Sequence, residues 1–178
     1  MRGIAFFITV LIHPLLRAEV PLQWPAYERT INAIAFSPDG KRIATASDED
    51  TLKIWDITTG KELLSIAAKG QGIAAIAWHP NGKQIATGHW NKTIGIWNAE
   101  NGKLIQTLTG HKENILALAY DADGSRIASG SGDDTLKLWN AETGKAIQTI
   151  DSGNEYDITA VCFSPDGSRS RMPTHDWP

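Results

Sequence analysis

The chain has 178 residues, enough for one domain or for a stretch of a larger repeat array. Its 42% apolar and 21% charged composition is that of an ordinary globular protein and excludes a disordered or fibrous chain. A formal net charge of -3 gives no sign of the basic surface that a nucleic-acid partner would favour, and none is expected. The opening segment differs from everything after it. Arg2 precedes an apolar run, Ile4 to Ile12, which is too short to span a bilayer. A basic start, a short apolar core and Ala18 at its end fit a secretory signal peptide over residues 1–18. Leu16 is the one misfit, because a small residue is preferred at its position. The signal peptide implies a secreted or periplasmic protein, and its absence a cytoplasmic one. Residues 19–30 form a lead-in.

From Ile31 onward the chain repeats itself. Four turn signals recur at steps of 42, 42 and 43 residues: Ser37-Pro38-Asp39-Gly40, His79-Pro80-Asn81-Gly82, Asp121-Ala122-Asp123-Gly124 and Ser164-Pro165-Asp166-Gly167. Trp55, Trp97 and Trp139 keep the same step, as do the pairs Gly60-Lys61, Gly102-Lys103 and Gly144-Lys145. Between the turns, polarity alternates with a step of two, the pattern of half-buried strands. The third repeat predicts strands at Ile115 to Tyr120, Arg126 to Gly130, Thr135 to Trp139 and Lys145 to Ile150. Equivalent sets begin at Ile31 and Ile73, and Ile158 to Phe163 begins a fourth that is not finished. Pro, Asx and Gly supply the turn chemistry between them. Each repeat is therefore expected to be a four-stranded antiparallel meander: 31–72, 73–114 and 115–157, then the start of another at 158–168. Residues 169–178 lack alternation and are expected to be an irregular tail. Cys162, the one cysteine, excludes an intrachain disulfide, and its apolar setting predicts a buried small hydrophobe.

These units resemble the WD-repeat β-propeller family over roughly Ile31 to Ser168. The resemblance is carried by Gly110-His111 and by the strand endings Ile54-Trp55-Asp56, Ile96-Trp97-Asn98 and Leu138-Trp139-Asn140. It implies an all-β fold, a partial WD-type propeller of four-stranded antiparallel blades. It also implies a structural tetrad in the third blade, His111, Ser129, Asp133 and Trp139. Blades one and two keep the tryptophans Trp55 and Trp97 and the hydroxyls Thr45 and Thr87. Glu49 and Asn91 stand in them where the tetrad has Asp, and Lys69 and the residues around Arg29 give no histidine. Gly153-Asn154 replaces Gly-His before the fourth. Three and a quarter blades cannot close a ring, since a propeller takes about 4–8. The expectation is a fragment of a longer propeller, its reading frame disrupted near residue 170. Closure by two or more chains, with self-association through exposed blade edges, is the alternative.

Sites of chemistry are scarce. Asp48-Glu49-Asp50 and Asp133-Asp134 are paired carboxylates, but both fall at the same turn of successive repeats, where a structural role is expected. Ser129-Gly130-Ser131-Gly132 lies on a strand with no helix after it, so it is no phosphate loop. Asn91-Lys92-Thr93 is a glycosylation sequon inside a tight turn. No catalytic residue, metal ligand or cofactor is expected. His89 and Trp90 are the informative irregularity, because their counterparts are Ser47-Asp48 and Ser131-Gly132. Together with Lys112, Glu113 and Tyr156 they are the candidate partner-binding residues. The expected function is a non-catalytic protein–protein interaction scaffold without a membrane span. The alternatives are a propeller segment of a multidomain enzyme or signalling protein, and a propeller hydrolase, for which no acid–base pair converges.

Overall fold

The computed structural model describes residues 6–10, 22–27, 30–47, 50–68, 72–153, 156–164 and 170–171. A two-stranded antiparallel pair comes first, β1 (Phe6–Val10) against β2 (Leu22–Tyr27). The lead-in thus holds a strand that alternation did not predict, and the remainder of the expected signal peptide lies outside the described residues. Three four-stranded antiparallel sheets follow. Blade 1 is β3 (Ile31–Phe36), β4 (Arg42–Ser47), β5 (Thr51–Asp56) and β6 (Glu62–Ala67). Blade 2 is β7 (Ile73–Trp78), β8 (Gln84–His89), β9 (Thr93–Asn98) and β10 (Leu104–Thr109). Blade 3 is β11 (Ile115–Tyr120), β12 (Arg126–Ser131), β13 (Thr135–Asn140) and β14 (Ala146–Asp151).

The turns between third and fourth strands show why the meander forms. Asp56 accepts the Thr59 amide at 2.7 Å, and Asn140 accepts the Thr143 amide at the same distance. Gly60, Gly102 and Gly144 close these turns with φ near +68°, +70° and +67°, where a Cβ is disfavoured. The register slips once at the start of each blade, between Ile31 and Ala33, Ile73 and Ala75, and Ile115 and Ala117. Such a bulge bends and twists the first strand.

Packing runs from sheet to sheet, as alternation requires. Leu52 and Ile54 of blade 1 meet Ile73, Trp78 and Trp97 of blade 2 in one core. Ile94, Ile96 and Leu108 meet Ile115, Ile127 and Trp139 in the next. Leu136 and Leu138 meet Ile158, Val161 and Phe163 in the third. Close approach depends on two small positions. A Cβ on Gly88 would stand 2.6 Å from the Ile115 side chain, and one on Gly130 would stand 2.5 Å from that of Ile158. The innermost strands are also tied across blades, by Asn32 Nδ2 to Ile73 O and Trp78 Nε1 to Ala35 O, each 3.1 Å.

The fourth set departs from expectation. Its strand β15 covers Cys162–Phe163 rather than starting at Ile158, and it pairs with β16 (Ser170–Arg171) in the segment expected to be irregular. It is therefore not an unpaired edge. Hairpin pairing uses backbone groups, so Ser170 and Arg171 can join it without apolar alternation. Ile158 instead crosses to blade 3, where its amide donates to Ser131 O at 3.1 Å and its side chain is buried. Cys162 is exposed, contrary to the buried position expected of it. Val161 and Phe163 take the face against blade 3, and period two turns Cys162 the other way, where nothing among the described residues covers it. Ile34 and Phe36 are 50% and 53% exposed on the opposite side of blade 1 for the same reason.

Candidate functional site

A tryptophan in each third strand donates its indole N–H to a hydroxyl in the second. Trp55 reaches Thr45 Oγ1 at 2.9 Å, Trp97 reaches Thr87 Oγ1 at 2.7 Å, and Trp139 reaches Ser129 Oγ at 2.8 Å. In blade 3 the chain of bonds continues. Ser129 Oγ lies 2.7 Å from His111 Nε2, and His111 Nδ1 lies 3.0 Å from the Asp133 carboxylate. Because the ionised Asp133 can only accept, Nδ1 carries the ring proton toward it, and Nε2 of the neutral imidazole accepts from the Ser129 hydroxyl. Asp133 also accepts the Lys112 amide at 2.7 Å and the Thr135 hydroxyl at 2.6 Å. Burial pulls His111 below its ordinary pKa, with the Asp133 carboxylate opposing. Burial also pushes Asp133 up, but the bonds from Thr135, Lys112 and His111 outweigh it and hold the carboxyl well below the usual range.

Serine, histidine and aspartate joined in this order have the connectivity of a nucleophile, its base and an orienting carboxylate. Access decides against that chemistry. Ser129 is fully buried and its oxygen is engaged by the Trp139 indole, so no substrate can approach it. The set fixes the loop at one end of blade 3 to its second and third strands.

Blade 2 corrects one of the expected partner-binding residues. His89 is 0% exposed and cannot meet a partner. It stands two residues after Thr87 on the same face of β8, and its Nε2 lies 2.8 Å from Thr87 Oγ1. Blade 2 therefore gets its imidazole from the strand itself, and Trp97, Thr87 and His89 form a bonded row equivalent to Trp139, Ser129 and His111. The spacing of two was visible in the sequence and is the signal that would have found it.

The other candidates lie at the end of the blades formed by the turns between second and third strands and the links between blades. Trp90 is 47% exposed, its amide donates to Gly72 O at 3.0 Å, and its ring covers Gly72 so closely that a Cβ there would stand 2.6 Å away. Lys112 is exposed while its amide is held by Asp133. Glu113 forms an exposed ion pair with Lys92 at 3.1 Å, which joins the Trp90 turn to the link before blade 3. Tyr156 is 75% exposed beyond blade 3. Lys92 was not singled out in the sequence; it takes φ +73° at its turn, as Asp50 and Asp134 take +57° and +61° at theirs.

The remaining motifs are structural. Asp50 accepts the Gly72 amide, while Asp48, Glu49, Lys69, Arg29 and Asn154 lie outside the described residues. Asn91 accepts the Thr93 amide and hydroxyl at 3.2 and 2.7 Å, closing its own turn. Among the described residues no three His, Cys, Asp or Glu side chains are grouped to hold a metal ion, and no helix is long and apolar enough to cross a membrane.

Comparison with known proteins agrees with this architecture. The family model for the WD domain, G-beta repeat, matches residues 21–56 and 102–140, and that for the anaphase-promoting complex subunit 4 WD40 domain matches 63–120. Periodic tryptophan protein 2 of Saccharomyces cerevisiae is 55% identical over 29 residues, 16% of this chain and 3% of that protein. The crystal structure of the RRP9 WD40 repeats superposes with a TM-score of 0.71 at 26% identity, over 76% of this chain and 42% of the other. The structure of U3-55K does so with 0.71 at 25% identity, over 76% and 43%. The chain spans less than half the length of either solved relative. With forty-two-residue units, stacked four-stranded sheets and a tryptophan–hydroxyl bond in every complete blade, the chain belongs to the WD-repeat family.

Proposed function

We propose that this chain is a non-catalytic scaffold for protein–protein interaction, part of a longer propeller, whose partner docks on the blade end carrying Trp90, Lys112, Glu113 and Tyr156. The observation that carries the proposal is Trp90. Blades 1 and 3 have polar or small residues at its position, yet blade 2 places a half-exposed indole there, braced on Gly72. A rigid aromatic backed by the chain itself binds at low entropic cost, and such residues dominate interface energies. The Lys92–Glu113 pair makes one surface of two blades. Two observations support a longer parent ring: the partial span of the solved relatives, and the exposed Ile34 and Phe36, whose counterpart Trp78 is buried by a neighbouring blade. Secretion belongs to the same proposal and is read by N-terminal sequencing of the mature protein.

Affinity capture with the chain and with Trp90→Ala tests the docking face. The expected loss of captured partner is about tenfold or more, with an unchanged circular dichroism spectrum. Equal capture by the two proteins removes this face from the proposal.

A further inference from the structure

The opposite end of the blades carries a second feature, independent of the Trp90 face. Turns there join neighbouring blades, and they do so with different chemistry. Between blades 1 and 2, Arg42 Nη2 donates to Gly82 O at 2.8 Å, and its guanidinium carbon stands 4.8 Å from the Trp78 ring centroid. At the far interface Arg126 stands 5.5 Å from the Phe163 ring. Between blades 2 and 3 the forty-two-residue step puts Gln84 in the place of those arginines, and Gly124 and Tyr120 in the places of Gly82 and Trp78. His79 makes this joint instead. Its ring centroid lies 5.0 Å from that of Tyr120, and the ring packs so closely on Gly124 that no Cβ would fit there. Its Nδ1 accepts the Asn81 amide proton at 3.0 Å, so Nε2 carries the ring proton, toward the Gly124 backbone that it also bonds. A guanidinium keeps its charge throughout, whereas an imidazole changes charge near neutrality.

The seated ring suits the neutral form. A second proton would go on Nδ1, against the Asn81 N–H, and two donors would then face each other. Burial disfavours the cation and pulls His79 below its ordinary value. Asp121, the Asn81 side chain and Asp123 oppose that pull without overcoming it. Each is already engaged: Asp121 with Arg126 Nε at 2.7 Å, Asp123 with the Ser125 amide at 2.8 Å, and Asn81 Oδ1 with the Lys83 amide at 2.9 Å. The Tyr120 phenol is held neutral by its burial. Room to move is also present. A groove of about 370 Å³ opens beside the ring, where Gln84 is shorter than an arginine, and the exposed Glu142 stands on its wall.

We infer that the joint between blades 2 and 3 is a proton-sensitive switch. On protonation the His79 ring leaves Asn81 and Gly124 for the groove, where water and Glu142 receive the cation, while the Arg42 joint holds. The preference for the closed joint is complete above pH 6.5, and it is lost as pH falls from there to the lower value of the seated ring.

The test is nuclear magnetic resonance of the full chain between pH 7.5 and 4.5. His111 also resists protonation, so local signals are read rather than global melting. The expected His79 is the Nε2–H tautomer at pH 7.5, titrating with a midpoint below 6.5. Cross-peaks between the His79 and Tyr120 rings weaken with that midpoint, by about fivefold or more, while those between Arg42 and the Trp78 ring persist. Asp123→Asn removes an attracting charge and moves the midpoint further down. The change is mild, because blade 2 already closes the equivalent turn with Asn81. A His79–Tyr120 contact that survives the titration, a midpoint at or above 6.5, a midpoint unmoved by Asp123→Asn, or an equal loss of the Arg42 contact overturns the inference.

Discussion

Replacing Ser129 with alanine removes the hinge of the blade 3 network. The hydroxyl joins two groups, accepting from Trp139 Nε1 at 2.8 Å and meeting His111 Nε2 at 2.7 Å. Trp139 is among the largest fully buried side chains, so its N–H would have no route to water. An unpaired buried donor costs about 1–3 kcal/mol. His111 keeps its bond to Asp133, so its loss falls at the lower end of that range. Together the substitution should cost about 2–4 kcal/mol, read by urea unfolding followed through tryptophan fluorescence. Two controls fix the cause. Ser129→Thr restores the hydroxyl in the form that Thr45 and Thr87 already use in blades 1 and 2, and should stay within about 1 kcal/mol of wild type. Thr149→Ala removes an exposed acceptor of Lys137 Nζ and should change stability by less than about 0.5 kcal/mol. A Ser129→Ala variant as stable as Thr149→Ala would refute the claim that the network braces the blade. So would a Ser129→Thr variant as damaged as Ser129→Ala.

Two further outcomes follow from the same geometry. His111 and Asp133 both have lowered pKa values in the folded protein, so both contributions are complete above pH 6.5, the ordinary histidine value. Stability falls first as pH drops below 6.5, because the unfolded histidine takes up a proton that the folded one resists, and again below 3.8, as the unfolded aspartate does the same. A melting-temperature profile from pH 3 to 8 should show both steps, and Asp133→Asn should shrink the lower one, to which Asp39, Asp56 and Asp123, also held below the ordinary value, contribute; a flat wild-type profile contradicts the assignment. Gly130→Ala places a Cβ 2.5 Å from the Ile158 side chain and 2.6 Å from its backbone oxygen, neither of which can yield without moving the fourth set of strands. The expected cost is about 1–3 kcal/mol by urea unfolding, and a stable variant would mean that these segments do not touch.

Most of the frame was legible because turn chemistry and alternation are local. Ser-Pro-Asp-Gly and the Asx-to-Gly turns bound the strands, and period two divides each into two faces. The expected and observed ends of β11 coincide, and those of β12 and β13 differ by one residue. The exposure of Cys162 was not legible, because it depends on whether another sheet lies beyond, and alternation assigns a residue to a face without saying what covers it. Ser170 and Arg171 pair through their backbones, which carry no sequence pattern. Of the left-handed turn residues, Asp50 and Asp134 are of a type enriched in that conformation, whereas Lys92 is not and carried no such signal.

Blade 2 holds the larger lesson. Against blades 1 and 3 it changes Ser or Asp to His79, Arg to Gln84, Ser to His89 and Lys to Gly95. Read singly, these look like a repeat losing its pattern. In three dimensions they fall into partnerships. His89 supplies from β8 the imidazole that blade 3 takes from its loop, so Thr87 keeps two partners. Gly95 leaves room for the Trp97 indole, whose Nε1 would stand 2.7 Å from any Cβ placed there. His79 leans into the space that Gln84 vacates. The first restores the bond to the Thr87 hydroxyl, the second makes room for the indole, and the third packs His79 against Tyr120 and Gly124 at the interface where the other blades carry arginine.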